Sequence, residues 1–318
     1  MPRPRRTLLW ASAALALSLT LAGCGGSDEA AETTPAPAPT ASTPFDYDAS
    51  RPLAVRDAGR ANKNYPVVLR DISFASPGGR VQGFLALPPG RPRRPGVVYV
   101  HGSGGDRGQL LVQAMWLAGR GSVTLAITAP SSTAAQGTSQ GLTPVQGLRR
   151  QRDLAVRDVV AVRRAVDLLR SRPEVDPSRL GYVGWSAGAR TGALLAGVER
   201  RIGAFVLMSG GAAPVSVYAS QAPVTLRDDV RRLLGPVDPL RAIARAKAGS
   251  LLLQDGRRDA VVPRAALEDL AAATPDGTDI RWYDAGHELD TKAYRDQLDW
   301  LARKLAIHGR VRGALTGP

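Results

Sequence analysis

Gly184-Trp185-Ser186-Ala187-Gly188 lies directly after the short apolar run Leu180-Gly181-Tyr182-Val183 and directly before Ala189-Arg190-Thr191-Gly192-Ala193-Leu194-Leu195-Ala196-Gly197. The first run has the length and composition of a buried strand, and the second has the low bulk of a helix packed close against a sheet. A strand that stops abruptly and turns into such a helix holds its pivot residue in a strained conformation that lifts the side chain above the sheet. Glycines on either side remove atoms that would collide with neighbouring backbone. Ser186, at the pivot, is a candidate nucleophile. The pentapeptide alone also fits an ordinary glycine-rich turn, so the rest of the chain must decide.

Around this junction apolar runs alternate with longer amphipathic segments. Residues 67–73 and 82–87 flank Pro77-Gly78-Gly79 and read as an antiparallel pair; 96–100, 122–127, 180–183, 204–209, 251–253 and 280–283 bring the expected strands to eight. Over 148–171, Leu148, Ala155, Val159, Val162, Val166 and Leu169 share one helical face with Arg and Asp opposite. A helix over 263–274 opens on a proline, and 292–307 carries Tyr294, Leu298, Leu301 and Leu305 in a stripe. This alternation predicts an α/β fold: a mainly parallel eight-stranded sheet with helices on both faces and sites beyond the carboxyl ends of the strands. The connections 130–147 and 211–248, the second with a helix near 225–234, are long and follow strand ends. They are expected to form a small lid that shapes a substrate pocket; surface insertions are the alternative.

The N-terminus reads differently. Arg3, Arg5 and Arg6 precede an apolar stretch over 8–22 that ends in small residues, the layout of an export signal. At roughly 15 residues it is short of the ~20 a membrane-spanning helix needs. Leu21-Ala22-Gly23-Cys24 resembles the lipobox of bacterial lipoproteins, which implies cleavage of a signal peptide 1–23 and lipid on the Cys24 thiol. Several acyl chains on one residue would hold the protein at a membrane outside the cytoplasm. A plain secretory signal with a leftover thiol is the alternative, and Arg5-Arg6 sits in a poor context for twin-arginine export. Residues 24–44, rich in Pro, Ala and Thr, read as a flexible tether, leaving 45–318 as the folded domain. Cys24 is the only cysteine, so neither an internal disulfide nor a cysteine metal cage can form. The net charge of +14 invites a nucleic-acid partner, but the arginines are interleaved with acids and no nucleic-acid module is present.

A serine needs an adjacent base, usually a histidine held by a carboxylate. Of three histidines, His308 closes the last helix and reads as structural or solvated, His101 opens His101-Gly102-Ser103-Gly104-Gly105 after one strand, and His287 lies in Ala285-Gly286-His287-Glu288 after the last. The segment Gln254-Asp255-Gly256-Arg257-Arg258-Asp259-Ala260-Val261-Val262-Pro263 offers two acids. Here the chain resembles the α/β-hydrolase superfamily, in which Gly-x-x-Asp-x-x-Val-Pro supplies the acid. The match selects Asp259 and leaves Asp255 to cap or stabilise the turn. The resemblance spans about 65–307, with oxyanion loop, nucleophile, acid and histidine in the superfamily's order.

The chain looks most like the dienelactone-hydrolase-like and prolyl-oligopeptidase-like branches, but has Ser186 where dienelactone hydrolase has cysteine, which points toward a simple carboxylic ester as substrate. The resemblance implies Ser186 as nucleophile, His287 as base and Asp259 as its partner. It also implies an oxyanion hole from the Ser103 and Ala187 N–H groups, with His101 and Gly102 supporting the loop. Trp185, Gln109, Trp116 and Arg190 are expected in packing or at the surface. No cofactor and no metal are expected. The resulting expectation is a membrane-anchored serine esterase for small-molecule esters. The alternatives are a peptidase or amidase of the same superfamily, for which the region before residue 65 is too short to hold a propeller, and a non-catalytic binding lipoprotein. Acyl group, alcohol and oligomeric state carry no signature.

Overall fold

The computed structural model describes residues 42–90, 93–134 and 141–318. The expected signal peptide, Cys24 and most of the 24–44 tether lie outside the described residues. Among the described residues no helix is long and apolar enough to cross a membrane.

The described strands are β1 (Arg56–Arg60), β2 (Val68–Ser76), β3 (Gly79–Leu87), β4 (Arg94–Val100), β5 (Val123–Ile127), β6 (Val175–Trp185), β7 (Ala204–Met208), β8 (Leu251–Gly256) and β9 (Asp279–Tyr283). They form one sheet in the order β1-β2-β3-β5-β4-β6-β7-β8-β9. The first three pair antiparallel and β3 meets β5 antiparallel, while β5, β4, β6, β7, β8 and β9 run parallel. The sheet therefore has nine strands rather than the expected eight. The extra strand, β1, is Arg-Asp-Ala-Gly-Arg, exposed at the edge and irregular between Asp57 and Gly59. Charge and a bulge are what keep an edge strand from recruiting another chain, and they also erase the apolar alternation by which a strand is recognised.

The helices are α1 (Leu111–Gly119), α2 (Pro130–Ala134), α3 (Pro144–Ser171), α4 (Ala187–Ala196), α5 (Val215–Gln221), α6 (Arg227–Leu234), α7 (Pro239–Ile243), α8 (Arg264–Ala272) and α9 (Thr291–Lys304). Helix α3 begins a turn earlier than its apolar stripe suggests. Thr143 caps it, its hydroxyl accepting from the Gln146 N–H at 3.3 Å while Gln146 Oε1 accepts from the Thr143 N–H at 2.8 Å. That reciprocal pair satisfies two otherwise orphaned donors and carries the helix back across Gly147.

Alternate residues of the central strands feed two cores. Val98, Val100, Tyr182, Phe205, Leu207, Leu251 and Leu253 pack with α3, α4 and α7, and Val97, Tyr99, Val183, Val206, Met208 and Leu252 pack with α1 and α9. Phe45 is buried in the first core, and its carbonyl accepts from Arg163 Nη1 at 2.8 Å. Strand order reverses at β4, which has β5 on one side and β6 on the other. Diverging connections at such a point open a crevice beyond the strand ends. Helix α2 follows the carboxyl end of β5 and the run α5–α7 follows that of β7; of the segments expected to form a lid, 135–140 lie outside the described residues, 144–147 belong to α3, and 211–248 carries the short helices α5–α7.

Candidate active site

Ser186 sits between β6 and α4 with φ +54° and ψ −111°, a conformation of order 1–3 kcal/mol above relaxed backbone for a residue with a Cβ. Three bonds hold it there: the Ser186 N–H donates to the Met208 carbonyl at 2.8 Å, the Gly188 N–H to the His101 carbonyl at 3.1 Å, and the Tyr182 hydroxyl to the Gly188 carbonyl at 2.6 Å. A Cβ at Gly184 would overlap the Gly188 carbonyl oxygen, and one at Gly188 would overlap that of Val100. The two glycines flanking the serine are thus fixed by the approach of α4 to the ends of β6 and β4.

His287, in the loop after β9, places Nε2 3.0 Å from Ser186 Oγ and Nδ1 2.8 Å from Asp259 Oδ2. The other Asp259 oxygen accepts from the N–H groups of Val261 and Val262 at 2.8 and 2.9 Å. Burial pushes the Asp259 carboxyl up, but the hydrogen bonds from His287 and from the Val262 and Val261 N–H groups outweigh it and hold it below the ordinary carboxylate value. An ionised Asp259 can only accept, so His287 carries its proton on Nδ1 and turns a bare Nε2 toward the serine hydroxyl. The structure thus brings together Ser186, Asp259 and His287 from three separate loops.

Two residues without an expected role fix the histidine. The Trp185 indole N–H donates to the His287 carbonyl at 2.9 Å, its ring centroid 5.1 Å from the imidazole, and the buried Ser209 hydroxyl donates to the same carbonyl at 2.8 Å. Trp185 therefore does more than pack. No local signal in the sequence reveals these contacts, since their partner lies 102 and 78 residues away.

The loop after β4 is equally held. His101 is buried; the Ala129 N–H donates to its Nε2 at 2.9 Å, so its proton lies on Nδ1, which donates to the Gly102 carbonyl at 2.6 Å. Burial pushes its basicity down, though the Gly102 contact opposes this, in keeping with a neutral strut. The Gly102 N–H donates to Gln109 Oε1 at 2.9 Å, which gives Gln109 a positioning role the sequence did not suggest. The N–H groups of Ser186, Gly188 and Gly102 are all committed, and Ser103 and Ala187, which lie beside them, line one cavity of about 240 Å³. Trp116 packs against Tyr294, and Arg190 is exposed at the rim of a neighbouring cavity. His308 is exposed after α9.

Asp255 departs from expectation. It does not cap the turn: it is the fifth residue of β8, opposite Trp282, 1% exposed, and its Oδ1 has no hydrogen-bond partner. Burial, with the charge of Asp259, pushes its carboxyl up to about 7. Among the described residues no group of three or more His, Cys, Asp or Glu is placed to hold a metal.

A family model for the dienelactone hydrolase family matches residues 81–297. The chain belongs to this family. No curated protein matches its sequence. Among solved structures it is similar to the acetyl xylan esterase from Paenibacillus sp. R4, with 20% identity over 80% of this chain and 90% of that one at a TM-score of 0.68. It is also similar to the dienelactone hydrolase from Anabaena variabilis, with 21% identity over 76% and 100% at 0.55. A puromycin-hydrolyzing peptidase from Mycobacterium tuberculosis, 21% identical, shares 77% of this chain but only 40% of its own length at 0.57. At these identities the likeness shows the α/β-hydrolase fold. Within the dienelactone hydrolase family this member carries serine at the strained turn, and the matched range takes in the His101 loop, Ser186, Asp259 and His287 together.

The buried acid beside Asp259 in this hydrolase gives a pH-dependent prediction. Raising a carboxyl above its unfolded value means that the folded state loses stability as pH climbs from about 4 toward 7, because ionisation is harder in the fold than in the unfolded chain. Replacing Asp255 with Asn is therefore expected to raise the urea midpoint more at pH 8 than at pH 4.5. Equal shifts at both pH values would contradict the assignment.

Proposed function

We propose that the protein is a serine esterase that cleaves small carboxylic esters through an acyl-enzyme. The observation that carries this reading is the relay Asp259–His287–Ser186, with links of 2.8 and 3.0 Å. Ester oxygen seats on the N–H groups of Ala187 and Ser103; Ser186 Oγ attacks the carbonyl carbon as its proton passes to His287 Nε2. Asp259 stays ionised and stabilises the imidazolium. Preorganised donors at the oxyanion contribute typically about 3 kcal/mol each in such sites. His287 then hands its proton to the departing alcohol, and water repeats the sequence on the acyl-enzyme. Serine in place of cysteine and the acetyl xylan esterase among the structural neighbours favour simple esters.

Replacing Ser186 with Ala is expected to abolish labelling by a fluorophosphonate probe and to lower turnover of an acetate ester by at least about 10⁴-fold, while leaving the circular dichroism spectrum unchanged. Wild type and variant reacting equally would end the proposal.

Because the base must be neutral to accept the hydroxyl proton, kcat/KM is expected to fall toward acid pH with a slope of about one proton. A kcat/KM that does not fall on the acid side while the fold stays intact would contradict it.

We further propose that the chain is exported and anchored through lipid on Cys24. This rests on the charged start, the apolar run and Leu21-Ala22-Gly23-Cys24. Cys24→Ser is expected to move the protein from the membrane pellet to the soluble fraction. Retention of the variant in carbonate-washed membranes would refute the anchor.

A further inference from the structure

Two cavities meet at the start of α4. One, of about 220 Å³, runs between α3, α4 and the α5–α7 region; the other lies over the loop after β4. Ser131, Leu154, Asp158, Ala187 and Thr191 line both. Neither Ser186 nor His287 lines them, whereas Ala187 lines both and Ser103 lines the second. On the serine esterase reading, on which this inference rests, the cavities open from the side of these two N–H groups, and that orients the substrate. The departing alcohol takes its proton from His287 Nε2 and must lie on the histidine side, so the acyl chain runs the other way, past Ala187 and into these cavities.

The acyl side is apolar over much of its lining, with Gln151, Tyr218 and Arg190 also on it and Asp158 its buried charged group. Leu194, Val215, Leu234 and Val237 contribute hydrocarbon, whereas Asp158, on α3, is a carboxyl 7% exposed. Its hydrogen-bond partner is Ser131, whose N–H donates to Oδ1 at 2.8 Å, and no Lys or Arg among the described residues forms an ion pair with it. Burial pushes the carboxyl up to about 6 against these hydrogen bonds from Ser131. A buried acid without a counter-ion is unfavourable to folding, and an apolar residue of the same shape would line the pocket at lower cost. Holding the first turn of α2 through Ser131 needs an acceptor, which an uncharged amide also provides.

We propose that Asp158 determines acyl specificity, and that the substrate's acyl group carries a hydrogen-bond donor, a hydroxyl or an ammonium, which the Asp158 carboxylate accepts. Thr191 lies one helical turn from Ala187 and, like Asp158, lines both cavities. The donor therefore belongs roughly four to six carbons along the acyl chain, by the rise of about 5 Å per turn.

The test uses ethyl esters of straight-chain acids of about that length, each in three forms: plain, with a terminal hydroxyl and with a terminal amine. Acid release is measured on wild-type enzyme with the spontaneous rate subtracted. A charge-assisted hydrogen bond made in the pocket predicts kcat/KM higher by about 10- to 100-fold for at least one donor-bearing series over the plain ester of equal length. Which series gains tells hydroxyl from ammonium. In Asp158→Leu the order is expected to reverse in favour of the plain esters. In Asp158→Asn, which keeps an acceptor for Ser131, an ammonium preference should disappear and a hydroxyl preference shrink. Plain esters preferred or equal at every length in wild type overturn the proposal, as does a preference that survives Asp158→Leu. Fluorophosphonate labelling of Ser186 separates the two levels of failure. A labelled enzyme without the preference refutes the role of Asp158 alone, whereas no labelling and no turnover refute the esterase reading with it.

Discussion

Everything at this site depends on how closely α4 approaches the end of β4. The Gly188 N–H reaches the His101 carbonyl, and the missing Cβ at Gly188 is what lets it pass the Val100 carbonyl. That contact does two things at once. It closes the turn that lifts Ser186 to positive φ, and it sets the His101-Gly102-Ser103 loop beside the first turn of the same helix. The candidate nucleophile and both candidate oxyanion donors are therefore placed by one backbone contact between parallel neighbours at the reversal of strand order, not by separate loops adjusted independently. The strain at Ser186 is sustained because the surrounding bonds to Met208, His101 and Tyr182 over-determine it.

The histidine arm is fixed from the opposite direction. The loop after β9 has no regular structure of its own at His287, yet its carbonyl is gripped by Trp185 from the serine strand and by Ser209 from the end of β7. Those two donors align the imidazole with Ser186 while Asp259, after β8, aligns the far nitrogen. The adjacent parallel strands β6, β8 and β9 thus bring Ser186, Asp259 and His287 together beyond their carboxyl ends, and β7 between them adds Ser209. Trp185 also restricts the neighbouring loop, because a side chain at Gly102 would come within 2.7 Å of its ring.

The parallel part of the fold and the glycine-flanked serine are legible because they rest on local pattern, whereas Asp259 is singled out from Asp255 only by the resemblance to the superfamily's motif. What escaped is not local. β1 is an edge strand whose polarity protects it and hides it. Helix α1 was not anticipated, although Ala114, Leu117 and Ala118 are buried, because its apolar residues are nearly continuous and give little periodic contrast. Trp185, Ser209 and Gln109 act through bonds to backbone groups whose positions exist only once the chain is folded. Asp255 reads as a turn residue because it is polar and follows an apolar run, whereas the strand continues and carries the carboxyl into the interior.

The burial of Asp255 bears on how the site divides its carboxyls. Asp255 and Asp259 are four residues apart and experience opposite environments: the first is buried with an unpartnered oxygen and pushed up to about 7, the second receives three hydrogen bonds and is held down. Like charges so close cannot both ionise cheaply, so raising one favours the other as the charged member. The sequence offered two acids as equals and a motif chose between them. The folded environment makes the same choice by physical means, since only Asp259 has the donors to remain an anion beside His287. A carboxylate that stays ionised can orient the histidine and stabilise its positive charge, while one near neutrality in the interior does neither reliably. The distribution of N–H donors around the turn after β8, more than the identity of the two side chains, is what keeps Asp259 the ionised member of the pair.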